Sequence, residues 1–414
     1  MQTRPSALTA PGLSADERST LNARRASRIE PTTAPRAAFA SVIYRLIFKL
    51  LLQHIDAERT HGLALRTLRA VTAIPALRRL LRRLTAPDDP RLHVQALGMT
   101  FPNPLGVAAG IDKDARSFSG LWALGFGFIE VGTITAHAQS GHAGKRVVRL
   151  VADHAVINRM GFPNPGAEVA AGRLKQRPEQ AIVGVNVGKS KVVSAEETPD
   201  DYARAVRALA PVSDYLVINV SSPNTPGLRE MQAVDRLRPL LSAVRSELAA
   251  LSIEVPVLIK IGPDLTDDQL DAVCDLAVEL AIDGIVAVNT TVDRSGLASS
   301  GEHARALPGG GLSGRPLKQR SLEVLRRTYS NVGDRMVVIS VGGIEDADDV
   351  WERILAGATL VQAHTGFVYG GPTWARTITR ELARRTSTAG CSSIEQLIGG
   401  ERRTQARTAA PRAA

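Results

Sequence analysis

The sequence predicts an α/β fold: a (β/α)8 barrel of the TIM type, with an N-terminal helical mini-domain that associates with a membrane surface. Three observations carry this reading. Eight short apolar runs follow one another over residues 103–367, most of them separated by a helix-like stretch. No GxGxxG opens the first βα unit, which weighs against a doubly wound open sheet, the main alternative. The net charge of +10 on 414 residues is also unevenly placed: residues 1–91 hold sixteen Lys and Arg against seven Asp and Glu, and the segment after Gly400 holds four against one. The barrel region is therefore near neutral, and the excess sits on the ends of the chain. A composition of 44% hydrophobic and 22% charged residues excludes bulk disorder, and two cysteines exclude a disulfide framework.

Residues 1–38 are rich in Ala, Ser, Thr, Pro and Arg without periodicity and read as a disordered basic arm. Their Arg and Ser content also suits a mitochondrial transit peptide, against which Asp16, Glu17 and Glu30 argue. Residues 39–90 read as a helical domain. FASVIYRLIFKLLLQHI (39–55) is too short and too charged to span a bilayer. A second helical pattern covers 58–72, and LRRLLRRL (77–84) places Leu77, Leu80, Leu81 and Leu84 on one stripe with arginines on the rest. Such faces suit an anionic membrane surface, or else pack on the main domain. With the charge confined to the ends, nucleic acid is the weaker partner and none is expected.

Residues 91–386 form the predicted barrel. LHVQALGMTF (92–101) reads as a hairpin. The eight runs are 103–110, 126–133, 181–189, 214–222, 256–264, 283–291, 336–344 and 359–367, with amphipathic patterns at 233–250, 266–281, 316–329 and 345–356. Long connections containing NRMGFPNPG (158–166) and GGGLSG (309–314) belong at the catalytic mouth. Residues 387–414 read as a C-terminal basic tail.

The carboxyl ends of these strands supply Lys113, Thr133, Asn186, Asn219, Ser222, Asn224, Lys260, Asn289, Thr290 and Thr365. This set lacks the His and carboxylate spacing of a metal site, and no GxSxG elbow is present. Paired amide donors and acceptors suit a planar, carbonyl-rich ligand. Gly342-Gly343 and Thr365-Gly366 end strands 7 and 8, where barrels hold phosphate; the alternative is that they only make tight turns. Lys260 interrupts the apolar run VLIKI, which is costly unless the ammonium meets an anion. It is either a Schiff-base lysine or a cation beside a flavin ring. Ser222, in NVSSPNTPGLR (219–229), has no His or Lys next to it in sequence. It is a loop hydrogen-bonding residue or a base that needs desolvation and a relay, with Thr225 the nearest hydroxyl.

In order, AAGIDKD, INRMGF, VNVGK, NVSSPNTPGLR, KIGPD, NTT, GGLSGRPL and VGGI resemble the class 2 dihydroorotate dehydrogenases, the quinone-linked, membrane-associated enzymes. The resemblance covers about residues 40–386 and includes DAERTHGLA (56–64) in the helical domain. It implies FMN in the barrel, oxidation of (S)-dihydroorotate to orotate as the fourth step of pyrimidine synthesis, and electron transfer to a membrane quinone. It assigns Ser222 as the catalytic base and Thr225 as its proton relay. Substrate contacts fall on Lys113, Asn158, Arg159, Met160, Gly161, Phe162, Asn219, Asn224, Asn289 and Thr290. Cofactor contacts fall on Ala109, Gly110, Ile111, Asp112, Lys113, Thr133, Asn186, Asn219, Lys260, Val288, Gly314, Gly343, His364 and Thr365. The family usually has Tyr at the place of His364. His61 and Arg149 match positions that line the quinone tunnel, which makes 39–90 the quinone-access domain. No metal is implied. A monomer held peripherally on the cytoplasmic side of a cell membrane is expected.

Overall fold

The computed structural model describes residues 38–86, 88–299 and 306–409. The basic arm expected over 1–38 lies outside the described residues except for Ala38, which opens the first helix.

The chain begins with three helices, α1 (Ala38–Leu50), α2 (Ala57–Thr72) and α3 (Pro75–Thr85). Asp56 caps α2 by accepting from Arg59 N–H, and Pro75 starts α3 where its missing N–H costs nothing. A hairpin of β1 (Val94–Ala96) and β2 (Met99–Phe101) follows, at the position where the sequence predicts one.

Eight parallel strands then close into a barrel. They are β3 (Leu105–Val107), β4 (Phe128–Ile134), β7 (Ile182–Val187), β8 (Tyr215–Asn219), β9 (Val257–Ile261), β10 (Gly284–Ala287), β12 (Val337–Val341) and β13 (Leu360–Ala363). Seven fall within their apolar runs, and β4 runs one residue past its own, to Ile134. Helices return the chain outside the barrel: α4 (Phe118–Ala123), α5 (Ala167–Leu174), α6 (Thr198–Leu209), α7 (Val234–Leu251), α8 (Asp267–Glu279), α9 (Lys318–Val332), α10 (Ala347–Leu355), α11 (Thr365–Gly370) and α12 (Trp374–Thr388). Capping boxes, Thr266 with Gln269 and Asp346 with Asp349, start α8 and α10. Phe101, Phe128 and Tyr215 contribute rings to the barrel core, and Gly184 makes room for one of them: a Cβ there would lie 2.0 Å from the Tyr215 ring.

Two features depart from the sequence reading. The connections after β4 and β10 are partly ordered as an antiparallel sheet, with β11 (Gly311–Gly314) pairing β6 (Ala155–Asn158) and β6 pairing β5 (Val147–Leu150). The segment read as a tail from 387 is in part core. After α12 ends at Thr388, Ile394 and Leu397 are buried, and α13 (Gly400–Ala409) closes the described chain.

The three N-terminal helices cover one side of the barrel mouth. Leu65, Leu68 and Leu81 pack on the main core, while Leu46, Leu50, Leu63, Leu77, Leu80 and Leu84 are exposed. The leucine stripe of 77–84 is thus split. Leu81 turns inward together with Arg82, whose guanidinium donates to the Trp122 and Phe126 carbonyls at 2.7 and 2.8 Å and lies over the Trp122 ring. Burial pushes Arg82 down to about 10. The periodic reading placed all four arginines of α3 on the polar side. It missed this one because an arginine stem and planar head can sit on an aromatic face.

Candidate active site

One cavity of about 720 Å³ runs from the carboxyl ends of the barrel strands to the inner face of α1 and α2. It gathers most of the site residues that the sequence reading named. Lys113, Asn158, Met160, Gly161, Phe162, Asn219, Ser222, Asn224, Asn289 and Thr290 line one part. Ala109, Gly110, Ile111, Thr133, Lys260, Val288, Gly314, Gly343, His364 and Thr365 line the middle. His61 and Arg149 line the part facing the helices, with Tyr44, Phe48, Leu65, Leu68 and Val71.

Four named residues are placed otherwise. Asp112 is buried behind the wall, its two carboxylate oxygens accepting from the Arg116 and Ser117 N–H groups at 2.9 and 2.6 Å. Burial raises its carboxyl to about 6 against those hydrogen bonds. It shapes the turn from which Gly110 and Lys113 reach the cavity. Asn186 is fully buried beneath the surface, touching the wall through Thr133 and Asn219. Arg159 and Thr225 lie next to lining residues without forming the wall themselves.

Parallel register explains why distant asparagines converge. Asn186 pairs with Gly132 across β4 and β7, and Asn219 pairs with Lys260 across β8 and β9. The result is a hydrogen-bonded floor. Thr133 Oγ1 donates to Asn186 Oδ1 at 2.5 Å, and Asn219 Nδ2 donates to both of these atoms at 3.0 Å. Asn289 Nδ2 donates to Asn219 Oδ1 and Ser221 Oγ at 3.3 and 3.0 Å. Asn224 Nδ2 donates to Asn158 Oδ1 at 3.1 Å, and the buried Asn224 Oδ1 has no partner among the described residues. A buried acceptor left open in a cavity wall is a ready partner for a ligand N–H.

Ser222 is 4% exposed, and its Oγ accepts from Asn224 N–H at 3.2 Å. Lys113 donates to Gly110 O at 2.6 Å. Its side chain lines the cavity and is half-buried. Desolvation lowers it to about 8, against the opposing pull of Glu58 and Asp112. His364 and His61 stand at the boundary between the polar floor and the apolar chamber. Burial, reinforced by Lys113, pushes them down to about 4 and about 3, so both are neutral at pH 7. His364 Nδ1 is buried and has no hydrogen-bond partner among the described residues. Arg149, on β5, donates to the Leu52 and Ile55 carbonyls at 3.0 and 2.8 Å and ties the connection between α1 and α2 to the mouth.

Sequence reasoning missed Glu130. It sits on β4 within FIEVGT, is 0% exposed and accepts from Lys260 Nζ at 3.1 Å. The signal was available: a charge inside an apolar strand, the same clue that singled out Lys260. It also missed the ion pair between Arg146 and Glu58 that fastens α2 to the mouth.

Known proteins resemble this chain over most of its length. The dihydroorotate dehydrogenase family model matches residues 91–386. A curated protein of Thermobifida fusca named dihydroorotate dehydrogenase (quinone) is 52% identical over 363 residues, covering 86% of this chain and 96% of that protein. One of the same name from Mycobacterium tuberculosis is 51% identical, covering 88% and 99%. The crystal structure of the Eimeria tenella enzyme in complex with ferulenol superposes with a TM-score of 0.75 at 35% identity, over 86% of this chain and 98% of that one. On sequence and fold together, the chain belongs to the dihydroorotate dehydrogenase family.

Proposed function

We propose that Ser222 is the base in a flavin-linked oxidation of (S)-dihydroorotate to orotate, and that the electrons leave to a membrane quinone through the chamber under α1 and α2. The family's reaction oxidises dihydroorotate in pyrimidine biosynthesis with quinone as acceptor, and the family is flavin-dependent in general. The observation that carries this assignment is the single cavity that joins the Ser222 wall, the Lys260 floor and the apolar chamber.

The residues present fit FMN. Lys260, Thr133 and Asn219 offer donors on the floor for a ring bearing carbonyls, and His364, whose buried Nδ1 has no partner among the described residues, lines the same cavity. Gly314, Gly343 and Thr365 supply backbone N–H groups at the phosphate end. When bound, FMN supplies the acceptor for the hydride leaving C6 of the substrate.

The chain's own residues do the rest. Lys113 neutralises the substrate carboxylate. Asn158, Asn219, Asn224 and Asn289 match its two carbonyls and two ring N–H groups. Ser222 Oγ takes the C5 proton, and the Asn224 N–H already aimed at that oxygen holds the negative charge that develops there. Thr225, buried next to it, carries the proton outward. Loss of one proton and one hydride turns the C5–C6 single bond into the double bond of orotate. Two electrons and two protons then convert quinone to quinol in the chamber. Neutral His61 and His364 keep that chamber free of buried positive charge except at Arg149.

Exposed leucines on α1 and α3 beside Arg45, Lys49, Arg78, Arg79 and Arg83 support peripheral docking on an anionic leaflet. No helix among the described residues is long and apolar enough to cross a membrane. The cytoplasmic face of a cell membrane is the proposed location.

The test is chemical. Purified protein should be yellow, release FMN on denaturation and form orotate from dihydroorotate with a soluble quinone. Protein that holds FMN yet leaves dihydroorotate unchanged would reject the assignment.

A further inference from the structure

At the cavity floor, Lys260 and Gln362, which line the cavity, meet a buried carboxyl side chain that the mechanism above does not use. Glu130, at the middle of β4, has no solvent exposure. Its Oε1 accepts from Lys260 Nζ at 3.1 Å and from Asn186 Nδ2 at 2.8 Å. Its Oε2 accepts from Gln362 Nε2 at 2.7 Å. Three donors, one of them the Lys260 side-chain nitrogen, converge on its two oxygens, so both are engaged from within the barrel.

This arrangement does two things. It makes a buried lysine tolerable, since an unpaired ammonium in an apolar barrel would be strongly disfavoured. It also fixes the Asn186 amide. With Nδ2 turned down to Glu130, Oδ1 must face up, where it meets Thr133 and Asn219. The donor pattern of the floor is thereby set from below.

We propose that Glu130 is a positioning residue that sets the reduction potential of the bound flavin, acting through Lys260. The proposal rests on the FMN reading above. Lys260 is 4% exposed and reaches the cavity wall, so its charge acts on whatever lies there through a poorly screening interior. A reduced flavin ring is more electron-rich than an oxidised one, and a cation beneath it favours reduction. A carboxylate touching that cation opposes it and holds the potential down, which leaves the electrons easier to pass on to quinone. Gln362 tempers the carboxylate by donating to its far oxygen.

The two isosteric changes therefore have opposite signs. Glu130→Gln removes the negative charge and raises the potential. Gln362→Met removes a donor, leaves the carboxylate less balanced and lowers it. A role confined to packing would not produce this pattern.

The experiment is equilibration of the holoenzyme against a reference dye, with FMN content and melting temperature recorded alongside. Glu130→Gln should shift the two-electron equilibrium toward reduction by at least tenfold, or ~30 mV. Gln362→Met should shift it about threefold the other way. An unchanged or lowered potential in flavin-loaded Glu130→Gln overturns the proposal. If that variant fails to fold or to load FMN, Gln362→Met decides: a lower potential supports the proposal, and an unchanged or higher one overturns it. A parent protein that never holds flavin defeats the FMN reading itself, and this is seen before any variant is made.

Discussion

The barrel mouth and the helical cap are built on opposite principles. At the mouth, Thr133, Asn186, Asn219, Asn289, Lys260 and Glu130 are joined by hydrogen bonds, and almost all are buried. The cap of α1, α2 and α3 is fastened by a few polar ties: Tyr44 to Val368 O, Glu58 to Arg146, Arg82 to Trp122 O and Arg149 to Leu52 O. Of sixteen large hydrophobic side chains that are exposed among the described residues, twelve belong to residues 43–84, so the cap carries most of the exposed apolar surface. The contrast separates two tasks. Proton and hydride removal need fixed donors and an excluded solvent. Delivery to a lipid-soluble acceptor needs an oily chamber that opens on a membrane.

That division can be broken most severely at Ser222. Ser222→Ala should slow reduction of the flavin by dihydroorotate by about 10²–10⁴-fold, while FMN content and the reaction of reduced enzyme with quinone stay as in the parent. Rapid-mixing absorbance of each half-reaction decides it, and an unimpaired first half-reaction would remove Ser222 from the mechanism. The mirror experiment lies in the cap. Arg149→Ala loses the two bonds that hold the connection between α1 and α2 and should impair quinone reduction at least tenfold, leaving reduction by dihydroorotate within about twofold (roughly 1.4 kcal/mol against 0.4). Equal losses in both halves would show that the regions are not separable.

A pH titration sharpens the mouth. The Lys113 ammonium is lowered to about 8 by desolvation. The charged form holds the substrate carboxylate below that value, and the lone pair appears as pH rises through it. Orotate affinity should fall by up to about tenfold per pH unit well above 8, and Lys113→Met should bind weakly with no such dependence. Smaller still is the effect expected on the cap surface. Leu46→Asp with Leu80→Asp should reduce sedimentation with anionic vesicles several-fold and leave both half-reactions with a soluble quinone unchanged. Least of all, Thr266→Ala removes the capping box of α8 on the outer face of the barrel. It should cost about 1 kcal/mol of stability with no kinetic effect.

What was legible in the sequence follows the same division. The eight strands were readable because buried parallel strands are continuous apolar runs, and the helices between them because one face repeats every three to four residues. The strands β5, β6 and β11 escaped notice. VVRL, AVIN and GLSG are short, and they pair only because the barrel brings the loops after β4 and β10 together. At the site, register across strands decided which polar groups meet, and a motif read as a unit hid that. AAGIDKD suggested that Asp112 faces the cofactor, yet its carboxylate is consumed by the turn while its neighbour Lys113 lines the cavity. Glu130 and Lys260 lie 130 residues apart, so neither announces the other until the barrel closes.

The central claim, that one cavity couples dihydroorotate to quinone through a flavin, is tested most directly by sequential anaerobic mixing. Yellow enzyme is mixed first with dihydroorotate and then with a quinone while the flavin absorbance is followed. The account predicts bleaching in the first mix with stoichiometric orotate, and return of the full colour in the second. Flavin that stays oxidised in dihydroorotate, or that bleaches and is not reoxidised by any quinone, would contradict it.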